Sequence, residues 1–162
     1  MLDEHRQAAA LARSDPALIE QRRVVDKVHA DRIWAILDDY EKWPGRRLVG
    51  DDGAEAAWII VQEAIEDPGL QRRSLEVLEV AVDSNDANPQ HYALLLDRVR
   101  MADGLPQFYG SQFVVGHDGD LEPWPLDDLA AVEERRRKLG FPTFAHHAAD
   151  MRARWREHST GT

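Results

Sequence analysis

The stretch that decides the fold runs from Ala54 to Ala102 and reads AEAAWIIVQEAIEDPGLQRRSLEVLEVAVDSNDANPQHYALLLDRVRMA. Its apolar residues recur every three or four positions, which is the period of an α-helix, and two proline-containing breaks divide it into three helices. The spacing predicts a helix over 54–66 closed by Asp67-Pro68-Gly69, a second over 70–82, turn chemistry from Ser84 to Pro89, and a third over 90–102. In the first of these, Ala54, Trp58, Val61 and Ile65 form one stripe, while Ala56, Ile59, Ile60 and Glu63 form another that lies nearly opposite. A helix that is apolar on two sides is expected at the centre of a bundle.

Towards the N-terminus, a short helix is expected over 3–13, and Ser14-Asp15-Pro16 supplies a cap and a first-turn proline for a longer one reaching about Asp39. Val25, His29, Ile33, Ile36 and Tyr40 mark its buried face, with His29 read as a satisfied core histidine, and Trp43-Pro44-Gly45 ends it. Towards the C-terminus, Gln107 to Val115 is rich in aromatic and β-branched residues, and His117-Asp118-Gly119-Asp120 is a turn signal, which together predict a hairpin. A helix over 127–139 follows, and after Gly140-Phe141-Pro142 a last helix carries Phe144, Ala148, Met151 and Trp155 inward. The expected fold is mainly α, a compact helical bundle of about seven helices with one small β-hairpin. Residues 1–158 are expected to form a single helical domain, with 159–162 as a flexible tail.

Composition narrows the function. The 162 residues suit one ordinary core, and a formal net charge of −10 opposes binding to a polyanion, so no nucleic acid is expected as partner. The absence of cysteine excludes disulfides and thiolate catalysis. The opening residues lack a basic, apolar leader, and no run reaches the length of a bilayer span, so a cytoplasmic location with no membrane partner is expected. The chain is expected to be a monomer or homodimer.

The polar residues that interrupt apolar patterns carry the functional reading. Glu63 closes an apolar stripe, where partial burial would raise its pKa in the absence of a cation. Arg98 interrupts the stripe Leu94, Arg98, Met101, and a guanidinium cannot escape burial by losing its proton, so it requires a carboxylate, carbonyls or an anionic ligand. Gln107-Phe108-Tyr109-Gly110-Ser111-Gln112 gathers two amides, a phenol and a hydroxyl around a glycine, groups suited to orienting a polar molecule. In strand alternation Gln112 would share a face with Phe108 and Gly110, and a satisfied buried glutamine would give the same pattern. His146 and Asp150 stand one turn apart without further residues at ligand spacing, so neither a metal nor another cofactor is expected.

The succession Trp43-Pro44-Gly45, Val61-Gln62-Glu63-Ala64, Asp97-Arg98-Val99, Gln107 to Gln112 and Val132-Glu133-Glu134-Arg135-Arg136 resembles a family of uncharacterised bacterial proteins. Members of that family carry Trp-Pro, Gln-His-Ala, Asp-Arg, Gln-x-Tyr-Gly-Thr-Gln and Val-Asp-x-Arg-Arg blocks in the same order. The resemblance spans roughly Val25 to Met151 and implies Gln62, Arg98, Gln107, Tyr109, Gln112 and Arg135 as the polar positions of interest. Glu63 departs from it, standing where relatives have histidine, and Ser111 replaces threonine.

The resulting expectation is a cofactor-independent small-molecule enzyme, of the lyase, isomerase or cyclase, or hydrolase type, with a central polar pocket. Glu63 and Tyr109 would be catalytic, and Arg98, Gln62, Gln107, Gln112, Trp43 and Arg135 would bind a polar or anionic substrate, with a role in specialised metabolism open to it. The alternative is a non-catalytic ligand-binding or protein-interaction module in which Glu63 and Arg98 form a structural pair.

Overall fold

In the computed structural model, which describes residues 16–159, three helices begin at a proline. These are α1 (Pro16–Tyr40), α3 (Pro68–Asp83) and α4 (Pro89–Ala102). Proline suits a first turn because its missing N–H would have had no partner there. Asp67 caps α3 by accepting from Leu70 N at 2.9 Å, and Trp34 Nε1 donates to the same carboxylate at 2.7 Å, which ties α1 to the start of α3. Asn88 caps α4 by accepting from Gln90 N.

Between α1 and α3 lies α2 (Arg46–Glu63), which begins well before the expected Ala54. Gly50 takes φ 75° inside it, a left-handed excursion that glycine makes without steric cost, so the helix kinks and resumes. The chain then continues through β1 (Phe113–Val115) and β2 (Leu121–Pro123), paired antiparallel with Val114 opposite Glu122, into α5 (Leu129–Lys138) and α6 (Phe144–Ser159). The described residues thus hold six helices rather than about seven, and the expected helix over 3–13 lies outside them, as do residues 160–162 of the expected tail.

Helices α1 to α4 share one apolar core containing Ile33, Leu37, Trp43, Ala57, Val61, Leu70, Leu78 and Leu95. Each fully buried leucine there contributes about 1.5–3 kcal/mol relative to leaving it in water. Three expectations are corrected. First, α2 is not apolar-buried on two sides: Ala57 and Val61 are buried, but Ala56 and Ile59 face water. The embedded helix is α4, in which no residue from Gln90 to Met101 is exposed. Second, α1 is buried only in its C-terminal half, through Ala30, Ile33 and Leu37, so Val25, His29 and Tyr40 are exposed and His29 is not a core histidine. Third, residues 107–112 are not strand but a loop preceding β1, which removes the alternation argument for their faces. The final helix agrees with its reading, with Ala148 buried and Phe144, Met151 and Trp155 half-buried.

Candidate functional site

The expected site residues fall into three separate places. The first is the loop 107–112, which is organised by two buried ions. Asp97, fully buried on α4, accepts from the backbone N–H groups of Phe108 at 2.7 Å, Tyr109 at 3.0 Å and Ser111 at 3.0 Å, and from the Ser111 hydroxyl at 3.0 Å. Burial raises the pKa of its carboxyl, and these hydrogen bonds oppose that rise. From α5, the buried Arg136 donates to the carbonyl oxygens of Tyr109 and Pro142.

The Gln107 side chain is spent on backbone, and that of Gln112 bonds a neighbouring side chain. Fully buried Gln107 donates to Gln112 O at 3.0 Å and Trp124 O at 2.7 Å and accepts from Gln112 N at 2.8 Å, so all its amide functions are used. Gln112 donates to the Ser111 hydroxyl. Arg135 binds Phe108 O and the Asp127 carboxylate, and the Phe108 ring lies between the guanidinium groups of Arg100 and Arg135. The Tyr109 ring meets Phe141 edge-on, and burial, followed by the Asp97 charge, raises its phenol pKa. Gln107, Tyr109, Gln112 and Arg135 are therefore brought together as a hydrogen-bonded framework. Asp97 and Arg136, which hold that framework, were not singled out from sequence. Their helical spacing was the available signal, since Asp97 follows buried Ala93 by four residues and Arg136 follows buried Val132 by four.

The second place is the C-terminal end of α2. Glu63 is its last residue and exposed, receives a 3.4 Å hydrogen bond from Gln62, and has Arg22 at 3.9 Å. It faces an open groove of about 580 Å³ shared with Arg23, Lys27 and Glu66. Arg98 is half-buried, and burial lowers its pKa while the Glu63 charge raises it. Among the described residues the two do not come within ion-pair distance, and Arg98 Nε is enclosed without a hydrogen-bond partner. Gln71, also buried, closes the helix end by donating to Val61 O and Gln62 O.

The third place is a cleft of about 330 Å³ between the start of α2 and the α3–α4 connection. Trp43, Asp51, Glu55 and His91 line it, together with Arg46 and Asn88. The His91 ring stacks on Trp58 with centroids 3.9 Å apart, and its Nε2 lies 3.5 Å from the Glu55 carboxylate. Burial lowers the His91 pKa, and Glu55 opposes this. Of the expected site residues only Trp43 is here. The imidazole and its carboxylate come from helices far apart in sequence, and the periodicity of neither marks them as a pair.

Among the described residues no group of three or more His, Asp or Glu side chains is placed to hold a metal ion, and no helix is long and apolar enough to cross a membrane. No curated protein and no solved structure matches the chain. A family profile does match, over residues 5–153, so the chain belongs to DUF6624, a family of unknown function.

Proposed function

We propose that the chain binds a small polar molecule in the cleft between α2 and the α3–α4 connection and performs acid/base chemistry on it, with His91 as proton acceptor and Glu55 as its carboxylate partner. The observation that carries this reading is the His91–Glu55 approach of 3.5 Å inside a concave surface. A His pKa lowered by burial leaves the imidazole neutral at pH 7, which is the form that accepts a proton. Once protonated, the ring is stabilised by Glu55, and the Trp58 stack fixes its plane. A positioned acid/base group of this kind contributes typically ~10²–10⁴ in rate, and contacts of this length tighten when substrate binds. The cleft volume lies at the small end of ligand sites, which span about 300–1,000 Å³.

A second reading rests on a different observation. Arg98 carries an enclosed, unpartnered Nε beside an exposed Glu63, which suits a ligand-binding end of α2 with Arg98 as anion clamp and Glu63 as acid or base.

One experiment separates the two. A thermal-shift screen against small polar metabolites detects ligands that bind only the folded state, and a ligand at a hundred times its Kd stabilises by about 2.7 kcal/mol. The hits are then repeated on four variants. Loss of the shift in His91→Gln and Glu55→Gln alone supports the cleft. Loss in Arg98→Met and Glu63→Gln alone moves the site to the end of α2, and retention in all four overturns both.

A further inference from the structure

Resting on the reading of the cleft as the ligand site, we infer that its ligand is a small organic cation, an ammonium compound, rather than an anion. Two kinds of wall meet in the cleft. One is aromatic, made by Trp43 and by the His91 ring backed by Trp58. The other is acidic, made by Asp51 and Glu55. The one basic residue of the lining, Arg46, has its Nη2 committed to Asn85 O at 2.9 Å and, more distantly, to Asn85 Oδ1. The neighbouring Asn88 commits its Oδ1 as the cap of α4.

Arg46 keeps its charge, since both of its partners are neutral, but it is exposed to water and is outnumbered by the two carboxylates. An indole face attracts a cation through the quadrupole of its ring. Carboxylates beside that face add Coulombic attraction, whereas an anion there would meet two like charges against the single charge of Arg46. The formal net charge of −10 raises the local concentration of any cation around the chain. An ammonium group seated here also places its N–H donors towards the side on which His91 and Glu55 accept. The polar substrate of the acid/base reading is thereby narrowed to an amine-bearing molecule.

Isothermal titration at pH 7.5 with ethanolamine, putrescine and agmatine, set against succinate and inorganic phosphate, tests this. At least one of the three cations is expected to bind. Asp51→Asn and Glu55→Gln are each expected to weaken it about tenfold, as removal of a close charge partner does. Both residues are exposed, so these variants are expected to fold, which far-UV circular dichroism checks. Glu20→Gln, an exposed acid on α1 away from the cleft, is expected to leave affinity unchanged. Equal weakening by Glu20→Gln would reduce the effect to net charge and overturn the inference. Binding of succinate or phosphate that His91→Gln abolishes would overturn it too, while leaving the cleft as the ligand site. If none of the three cations binds, the inference fails, and the thermal-shift variants then decide the cleft reading separately.

Discussion

Asp97 and Arg136 grip one loop from opposite sides. The carboxylate collects the N–H groups of Phe108, Tyr109 and Ser111, and the guanidinium donates to the carbonyl of Tyr109, so the peptide units between them are oriented by a buried anion at one edge and a buried cation at the other. Each supplies hydrogen-bond partners to backbone groups of that one loop which would otherwise be buried unpaired. The loop in turn starts the hairpin and carries Gln107, whose backbone N–H donates to Pro125 O at 2.8 Å on the far strand side.

Replacing Asp97 with Asn is nearly isosteric, so its cost isolates hydrogen bonding. The amide nitrogen would face the N–H and hydroxyl of Ser111, placing donor against donor in a buried site. Each unsatisfied buried donor costs about 1–3 kcal/mol, so Asp97→Asn is expected to lose about 2–4 kcal/mol in urea unfolding. A loss below about 0.5 kcal/mol would show that the carboxylate does not hold the loop.

The grip also predicts coupling. Arg136→Met strands the carbonyls of Tyr109 and Pro142, and in an Asp97→Asn background the loop is already loosened. The double variant is therefore expected to cost at least about 0.5 kcal/mol less than the sum of the single ones, the usual signature of residues sharing one network. Strict additivity in a double-mutant cycle would contradict the shared loop.

The family of elements was legible in the sequence because helix signals are local. Pro68 and Pro89 fall in the two breaks that the sequence predicts, although each opens the following helix, two and one residues earlier than expected, and His117 to Asp120 turns the hairpin. Depth was not legible. Periodicity reports which residues share a face, but not whether another element covers that face, and for this reason Glu63 was read as partly buried while it stands exposed at a helix end. On α4 the same limit set attention on Arg98 when Asp97, one residue earlier, is the fully buried ion. The amide of Gln107 has the look of a ligand-facing group in the sequence because the demand of an irregular, buried backbone for partners cannot be seen until the loop is traced. The cleft was invisible apart from Trp43, since a pair such as Glu55 and His91 is created by packing of α2 against α4 and leaves no local spacing to find.

Gly110 offers a test of how tightly that loop is packed. It takes φ 68°, and a Cβ there would lie 2.6 Å from Phe144 Cδ2 and 3.1 Å from Leu126 Cδ2. Gly110→Ala combines a left-handed residue, at about 1–2 kcal/mol, with overpacking, at about 1–3 kcal/mol. Gly104→Ala is the control, because Gly104 has φ 71° but no atom within 4 Å of the added methyl. Only the conformational cost is expected there, so the two variants should differ by the packing cost alone. Equal losses in denaturant titration would mean that the loop yields.

Stability is expected to fall as pH is lowered below about 6.5, the ordinary value for histidine. Burial lowers the pKa of His91 with Glu55 opposing, and lowers that of His147, with Arg136 adding to the fall and Asp150 opposing it. Between the ordinary and the folded values the unfolded chain binds protons that the folded chain refuses. The free energy of unfolding therefore rises with pH across that window, and it levels off below the folded values once both states are protonated. Each histidine contributes a slope of at most about 1.4 kcal/mol per pH unit. Guanidinium chloride titrations at pH 5.5 and 7.5 on the natural chain and on the His91→Gln/His147→Gln double variant check this. The variant is expected to show a smaller difference between the two pH values, whatever its absolute stability. An unchanged difference would assign the pH dependence to other groups and remove the support for a neutral His91 in the cleft.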